Sequence, residues 1–377
     1  MDEYSHLSEA QRELIHRARR LGHEVLEPLA KKGEPGRLNR PLVRALGDQR
    51  LLELVLPSEG EGSAVDLCLL REGLAHGCTE AETALALQGL GGYPILRAAR
   101  PEIREAWIPR LAAGEAVVAF ALSEPEAGSD AAALALRADR DRDGFRLTGT
   151  KIWISNAPEA DVYTVFARTT EDAGARGVTA FAVPRESEGV SGKALTLLSP
   201  HPIGRLEFDG VFVGAEQVLG DVDKGFGVAM ETLDLFRPSV GAFAIGMAQA
   251  ALEAAVAHAA RREAFGRPLS GFQAVAHQLA DVAMNVQAGR LLVHHAAAAY
   301  DAGVRPVRQA SAMAKLFATE TAQHAVDVAI QVHGARALEK GHLLEHLYRE
   351  VRAPRIYEGA SEVQREIIAR ELFREKV

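Results

Sequence analysis

The chain has 377 residues, 47% of them hydrophobic and 25% charged, which is ordinary for a globular protein with a sizeable core. The formal net charge of −8 and the lack of a basic run argue against nucleic acid as a partner. A polar N-terminus without a basic-then-apolar pattern, and charges that interrupt the apolar stretches, predict no signal peptide, no membrane association and a cytoplasmic location.

The first part of the chain has helical periodicity. Apolar residues recur at spacings of three and four from Leu14 to Leu29, and the glycines and proline of residues 33–36 end this helix. Cys68 and Cys78 lie in the same helical region, where a buried, reduced pair is expected rather than a disulfide or a metal site. Further helices are predicted at 41–54, 64–76, 79–90 and 101–113. We therefore predict an N-terminal α-helical domain over residues 1–116.

The middle of the chain changes to short alternating or apolar runs separated by Gly, Pro and Asp. Strands are predicted at 162–167, 178–183 and 206–213. Asp143-Gly144 separates two further strand-like runs and predicts a hairpin turn. A middle β-barrel domain over residues 117–224 follows.

Long helices return after residue 225. The predicted helices are 228–263, 272–302, 307–332 and 361–375, and the first is rich in small residues that permit close helix contacts. Four such helices predict a C-terminal four-helix-bundle domain over residues 225–377. The fold class is therefore mainly α with a β insert between two helical domains.

Two stretches of the middle region could bind a phosphate and a flat ring. FALSEPEAGSD, residues 120–130, passes from a strand-like run into a small-residue turn, where Gly128 permits converging backbone N–H groups and Ser129 adds a hydroxyl. TGTKIWISNA, residues 148–157, places the indole of Trp153 two residues before the hydroxyl of Ser155. Each pattern alone is more often structural. No complete GxGxxG follows a strand and no GxxxxGK[ST] occurs, so a Rossmann site and a P-loop are excluded.

One further stretch could carry acid–base chemistry. In RIYEGASEVQ, residues 355–364, Glu358 lies between an aromatic residue and a glycine just before the last helix. A carboxylate in a dry pocket has a raised pKa, which suits removal of a weakly acidic carbon-bound proton. The pattern alone fits a helix-capping acid equally well.

A competing motif is His342-Leu343-Leu344-Glu345-His346. It matches H-x-x-E-H, in which two histidines bind zinc and the glutamate is the general base of a hydrolase. A solvated helix face beside nearby arginines is the structural alternative. Zinc hydrolysis is therefore kept as a remote hypothesis.

Taken together, five motifs in order along the chain resemble the acyl-CoA dehydrogenase family of flavoenzymes. They are the two stretches of the middle region, the RxxFG…Q-like segment from Arg262 to Gln273, Gln331-Val332-His333-Gly334, and Ile356-Tyr357-Glu358-Gly359. The resemblance covers nearly the whole chain. It implies the family's arrangement of a helical domain, a β-barrel domain and a four-helix bundle.

The resemblance also implies FAD as cofactor and assigns the residues that bind it. Those of the same subunit are Phe120, Leu122, Ser123, Gly128, Ser129, Trp153 and Ser155. Those of a neighbouring subunit are Arg262, Phe265, Gln273, Gln331 and Gly334. Glu358 would be the catalytic base, and the substrate-binding residues would be Asp234, Arg237, Tyr357 and Gly359.

The implied reaction is α,β-dehydrogenation of an acyl-CoA thioester, as in fatty acid metabolism, by a homotetramer that passes electrons to an electron-transfer flavoprotein. Three departures from the family pattern are Ala335, Ala360 and the segment 198–208. They leave open a divergent member with a non-standard substrate, or a catalytically silent binding protein.

Overall fold

The computed structural model describes residues 4–58, 60, 62–304 and 307–374. The chain divides into two compact units, which are described separately. One comprises Met1–Val25, Ser63–Glu82 and Asp234–Val377, and we call it the helical unit. The other comprises Leu26–Gly62 and Thr83–Leu233, and we call it the mixed unit. The ends of the outer predicted domains, residues 1–3 and 375–377, lie outside the described residues.

The N-terminal region is helical, as predicted. Ser8 precedes the first helix, and its hydroxyl accepts a hydrogen bond from the Gln11 backbone N–H at 3.3 Å. The helices are α1 Glu9–Leu21, α2 Glu27–Ala30, α3 Arg40–Asp48, α4 Ala64–Gly77, α5 Thr79–Ala98 and α6 Pro101–Ala112. A π-helical turn, Gly22–Leu26, joins α1 to α2, and a short 3₁₀ turn covers Leu52–Leu54. Cys68 and Cys78 are buried and form no disulfide bond, as expected.

The predicted end of α5 at residue 90 is wrong by eight residues. The helix continues through Gly91, Gly92 and Pro94 to Ala98. A Cβ at Gly91 would lie 2.9 Å from the Val118 side chain, and one at Gly92 would lie 2.8 Å from the Leu56 side chain. These glycines therefore serve close packing within the mixed unit, where the buried contacts outweigh poor helix propensity.

The β insert is one eight-stranded sheet. Its strands are β1 Val118–Ala121, β2 Arg137–Asp141, β3 Gly144–Ser155, β4 Val162–Arg168, β5 Val178–Pro184, β6 Val190–Ala194, β7 Ile203–Gly214 and β8 Val218–Leu219. The order is β6-β7-β3-β2-β4-β5-β8, and β1 pairs with β4 in parallel. In the part of the chain that the structure describes, this order is an open path without a pair between β6 and β8.

The predicted hairpin turn is confirmed. Strands β2 and β3 are antiparallel, with Asp141 opposite Gly144. The two turn residues are Arg142 and Asp143, and Arg142 adopts the left-handed conformation with φ of 56°. The turn therefore begins one residue earlier than Asp143-Gly144 suggests.

The C-terminal helices confirm the predicted bundle. They are α7 Gly225–Arg261, α8 Gln273–Asp301, α9 Arg308–His333, α10 Leu343–Glu350 and α11 Ser361–Phe373, and a small hairpin of β9 Glu263–Ala264 with β10 Arg267–Pro268 precedes α8. The last predicted helix extended to Glu375, which lies outside the described residues. Helix α7 is long and apolar enough to cross a membrane by length and composition alone, but 72% of its most apolar stretch is buried inside the protein, which is typical of a core helix.

Small residues of α7 permit close contact with α4 inside the helical unit. A Cβ at Gly246 would lie 2.3 Å from the backbone oxygen of Glu72, a distance that real Cβ atoms do not adopt. By contrast, a Cβ at Gly227 in the same helix would meet no atom within 4 Å. The two glycines thus lie in the same helix, but only Gly246 lacks space for a side chain.

We expect Gly246→Ala to destabilise the protein by about 1–3 kcal/mol, because the added methyl group forces the α4 backbone away. The matched control Gly227→Ala should leave stability unchanged or raise it by up to about 1 kcal/mol, since alanine favours the helix. Urea unfolding followed by circular dichroism measures both. Equal stability of the two variants would contradict the close contact.

Candidate active site

The predicted flavin-binding residues of the mixed unit come from two segments that lie side by side. Phe120 lies in β1, where its ring packs 4.9 Å from that of Phe166, and Leu122 and Ser123 follow the end of this strand. The backbone N–H of Ile152 in β3 donates to the carbonyl of Ser123 at 3.1 Å. The structure thereby brings together the two motifs, which are about thirty residues apart in the chain.

A buried ion pair fixes the two segments. Lys151 Nζ donates to Glu124 Oε1 at 2.7 Å and to the Leu122 carbonyl at 2.9 Å. The Glu124 carboxylate also accepts backbone N–H bonds from Ala135 at 2.6 Å and Leu136 at 3.0 Å. Burial lowers the pKa of Lys151 to about 8, and the Glu124 charge opposes this shift. The loop after β1 is therefore held at both ends by one carboxylate.

Trp153 projects from an irregularity in the sheet. The register between β3 and β7 shifts between Lys151 and Ile154, and Trp153 has a φ of 56°. Such a bulge redirects a side chain. The Trp153 side chain is 48% exposed, and Ser155 is half-buried two residues later. An exposed indole beside a hydroxyl suits a planar ring.

The turn after Glu124 exposes backbone donors. Glu124 and Ala127 exchange two backbone hydrogen bonds of 3.1 and 3.2 Å, which close the turn, and Gly128 and Ser129 follow on the surface. Among the described residues, none accepts a hydrogen bond from the N–H groups of Gly128 and Ser129. A Cβ at Gly128 would meet nothing within 4 Å. Free donors beside open space fit a phosphate group.

The cofactor residues that the resemblance assigns to a neighbouring subunit lie in the helical unit and are exposed. Phe265 and Gly266 form the turn between β9 and β10, where the Phe265 side chain is 96% exposed and its φ is 52°. The other predicted contacts, Arg262, Gln273, Gln331 and Gly334, are also exposed. A fully exposed phenyl ring in a strained turn is a feature of a binding surface rather than of a core.

Glu358 lies in the segment 356–360, which we call the base loop. It adopts the left-handed conformation with φ of 50°, and its Oε2 atom is buried without a hydrogen-bond partner in the described structure. Burial raises the pKa of the Glu358 carboxyl, although positive charge from Arg71, Arg237 and Lys315 opposes the shift. Glu358 therefore does not act as a helix-capping acid: helix α11 has no side-chain cap.

Arg237 in α7 links the predicted substrate residues to this loop. Its Nε–H donates to the Glu358 carbonyl at 3.4 Å and its Nη1 to Asp234 Oδ1 at 3.3 Å. The side chain is buried, and burial lowers the pKa of the Arg237 guanidinium. The structure therefore brings Asp234, Arg237, Glu358 and Gly359 together.

Sequence reasoning missed two further cations near Glu358. Arg71 in α4 is buried, forms an ion pair with Glu82 and donates to Ser239 Oγ at 2.7 Å. Lys315 in α9 is fully buried and donates to the Gly359 carbonyl at 2.6 Å. A charged residue inside an otherwise apolar helix face is the signal that could have identified both.

The H-x-x-E-H residues each have separate partners. His342 precedes α10, and its Nδ1 accepts the Leu344 N–H at 3.1 Å. Glu345 pairs with Arg349 at 2.8 Å, and His346 bonds the Thr79 hydroxyl at 2.6 Å. No group of three or more potential metal ligands occurs among the described residues. These contacts do not support the zinc hypothesis.

Comparison with known protein families identifies three matching models in order along the chain. The acyl-CoA dehydrogenase N-terminal domain matches residues 8–115, the middle domain residues 119–211 and the C-terminal domain residues 223–373.

Individual relatives match along nearly their whole length. The chain is 34% identical to cyclohexane-1-carbonyl-CoA dehydrogenase of Geobacter metallireducens, over 98% of each chain. It is 36% identical to the 3-(aryl)acrylate reductase of Clostridium sporogenes, over 97% of this chain and 99% of the relative. A solved glutaryl-CoA dehydrogenase of Mycobacterium smegmatis in complex with FADH2 superimposes with a TM-score of 0.89 at 27% identity, covering 97% of this chain and 95% of that one.

We expect Lys151→Met to destabilise the protein by about 3 kcal/mol, because it leaves the Glu124 carboxylate buried without its counter-ion. The loop after β1 should loosen, so FAD occupancy should fall as well. The control is Arg44→Met, which breaks the half-exposed pair with Glu115 and should cost less than about 1 kcal/mol.

Both effects are measurable by urea unfolding and by the flavin absorbance of the purified protein. A Lys151→Met variant as stable as Arg44→Met would show that the buried pair does not hold the loop.

Proposed function

The chain belongs to the acyl-CoA dehydrogenase family, its cofactor is FAD, and we propose that it dehydrogenates an acyl-CoA thioester to the 2-enoyl-CoA. Membership of this family makes it an oxidoreductase. The observation that carries the proposal is the Glu358 carboxylate, whose Oε2 is buried and has no hydrogen-bond partner among the described residues, in a loop to which buried Arg237 and Lys315 donate hydrogen bonds.

Glu358 has the properties of a base for a carbon acid. The α-proton of a thioester is weakly acidic, so its removal needs a carboxylate with a raised pKa. Burial supplies that shift, while the cations keep the ionised form accessible. The unpaired Oε2 is the atom that would accept the proton.

The surroundings of Glu358 also suit the negative charge that develops on the thioester oxygen. No described residue accepts a hydrogen bond from the backbone N–H of Glu358, so this donor is available to a substrate carbonyl. The buried charges of Arg237 and Lys315 favour the same charge separation. A donor already oriented in a dry site stabilises such an oxyanion without reorganisation.

Bound FAD would supply the acceptor for the hydride that leaves the β-carbon. In the mixed unit, the free N–H groups of Gly128 and Ser129 would bind its pyrophosphate, and Trp153 and Ser155 would contact its ring. Arg262, Phe265, Gln273, Gln331 and Gly334 would approach it from a neighbouring subunit, which accounts for their exposure. We extend the proposal to a cytoplasmic homotetramer that donates electrons to an electron-transfer flavoprotein.

A second candidate function is the reverse reaction on an unsaturated acid. The observation that favours it is the 36% identity to a 3-(aryl)acrylate reductase, together with Ala335 and Ala360 in the motifs near the cofactor. In that direction, protonated Glu358 would deliver its proton to the α-carbon. The raised pKa of its carboxyl serves this role equally well.

We expect Glu358→Gln to remain yellow and to lose about 10³-fold in the rate of flavin reduction, because the amide cannot accept the proton. Glu366→Gln, an exposed position in α11, is the matched control and should reduce its flavin like the wild type. Stopped-flow absorbance under anaerobic conditions measures both. A fully active Glu358→Gln variant would remove Glu358 as the base.

The substrate class follows from a panel of straight, branched, alicyclic and aromatic acyl-CoA thioesters added anaerobically to the oxidised protein. We expect at least one thioester to bleach the flavin band. Aryl acrylates added to the reduced protein test the reverse direction. If only an acrylate changes the spectrum, the second candidate replaces the first, and if no compound does, the protein is a silent member of the family.

The pH dependence of dehydrogenation follows from the raised pKa of Glu358. Because the base must be ionised, kcat/KM should increase with pH through an ionisation above the ordinary range of a glutamate. Below that pKa the carboxyl is protonated and activity is lost. A rate profile flat down to the pH at which exposed glutamates titrate would contradict the dry site.

A further inference from the structure

Two buried side chains hold the peptide that follows the proposed base. The Gly359 carbonyl accepts a hydrogen bond from Lys315 Nζ at 2.6 Å and another from Gln364 Nε2 at 3.0 Å. Lys315 belongs to α9 and Gln364 to α11, and both have no exposed surface. The base loop is thus tied to two helices of the helical unit through one carbonyl.

This attachment matters because the base loop has an unfavourable backbone. Glu358 has a φ of 50° and Gly359 a φ of 99°, both in the left-handed region. A residue with a side chain adopts that region only when its surroundings require it. A Cβ at position 359 would lie 2.2 Å from Gln364 Nε2, so glycine is needed for the side chain of Gln364 to reach the carbonyl.

The charge of Lys315 differs from those of the other two cations near Glu358. Arg71 forms an ion pair with Glu82, and Arg237 forms one with Asp234. Lys315 has no carboxylate within 4.0 Å in the described part of the chain. Of the three cations, Lys315 is therefore the one without an ion-pair partner among the described residues.

The electrostatics of Lys315 agree with this geometry. Burial, assisted by the charge of Arg237, lowers the pKa of its ammonium to about 8, whereas Glu358 opposes the shift more than the carboxylates of Glu320 and Glu362 do. In return, Lys315 lowers the pKa of Glu358 against the effect of burial. The two groups thus stabilise each other's charged form.

We propose that Lys315 is a positioning residue for Glu358, which rests on the function proposed above. Its ammonium holds the Gly359 carbonyl, and with it the left-handed base loop, and its uncompensated charge keeps the Glu358 carboxylate ionised for proton removal. Gln364 shares the first role but, as a neutral amide, not the second.

The two neighbours of the same carbonyl permit a matched test. Lys315→Met removes the donor and the charge, whereas Gln364→Met removes a donor alone and Lys315→Arg keeps the charge. We expect Lys315→Met to lower the rate of flavin reduction by about 10²-fold through misplacement of the base, with little change in KM. The acid limb of its kcat/KM profile should also shift to higher pH by about one unit or more, because a positive charge that favours the ionised carboxylate is lost.

The controls separate charge from hydrogen bonding. Gln364→Met should lower the rate with an unmoved acid limb, and Lys315→Arg should keep the limb near its wild-type position. If Lys315→Met has the wild-type rate and limb while Glu358→Gln is inactive, the positioning role is wrong and the proposed function stands. If Gln364→Met moves the limb as far as Lys315→Met does, the effect is structural and the role of charge is overturned.

A measurement without substrate keeps the inference testable if no thioester reduces the flavin. The infrared carboxyl band of Glu358, assigned by its loss in Glu358→Gln, can be titrated in the FAD-bound protein. A higher midpoint in Lys315→Met than in the wild type and Gln364→Met supports the inference. Equal midpoints in all three overturn it, whatever the substrate.

Discussion

The need to compensate buried charge is the constraint on which both units of the structure depend. In the mixed unit, Lys151 and Glu124 are buried together and tie the loop after β1 to the strand that carries Trp153. In the helical unit, burial alone would raise the pKa of Glu72, but Arg290 and His294 lower this pKa to about 2. A buried charge without a partner would cost several kcal/mol, so each pair restricts how its helices or strands can pack. Within each unit, the buried ion pairs therefore determine which helices or strands pack together more than they raise the free energy of unfolding.

The base loop departs from this rule at Glu358 and at the nearby Lys315. Within the described part of the chain, the Oε2 of Glu358 is buried without a partner, and Lys315 has a backbone carbonyl in place of a counter-ion. Left-handed backbone at Glu358 adds local strain. Unsatisfied charge and strain at one place are expected where a protein carries out chemistry, since the rest of the fold must sustain them. The base loop is thus distinguished from the rest of the fold by an unpaired buried carboxylate atom and by backbone strain.

The fold does not determine the substrate. Relatives with similar identity across the whole chain include a dehydrogenase of a cyclic acyl-CoA and a reductase of aryl acrylates. In general a protonatable carboxyl can either remove or deliver a proton, so the direction of such a reaction depends on the compound and on the redox state of the flavin. The name of any single relative therefore does not establish the substrate of this chain.

The sequence by itself determined the succession of a helical, a β and a second helical region, because periodicity shows which face of an element is buried. It also determined the motifs, including Glu358 in its loop and Trp153 beside Ser155. The predicted end of α5 was wrong, because Gly91 and Gly92 do not end the helix but permit close packing against Val118 and Leu56.

Only the tertiary structure decided which buried groups meet. Lys315 contacts a carbonyl 44 residues away, and Arg237 one that is 121 residues away. Spacing along a helix predicts that a side chain points inward but not which element it faces. The bulge that exposes Trp153 likewise depends on the pairing of β3 with β7. The buried side chains that contact the base loop were therefore outside the reach of sequence patterns, because these contacts join distant parts of the chain.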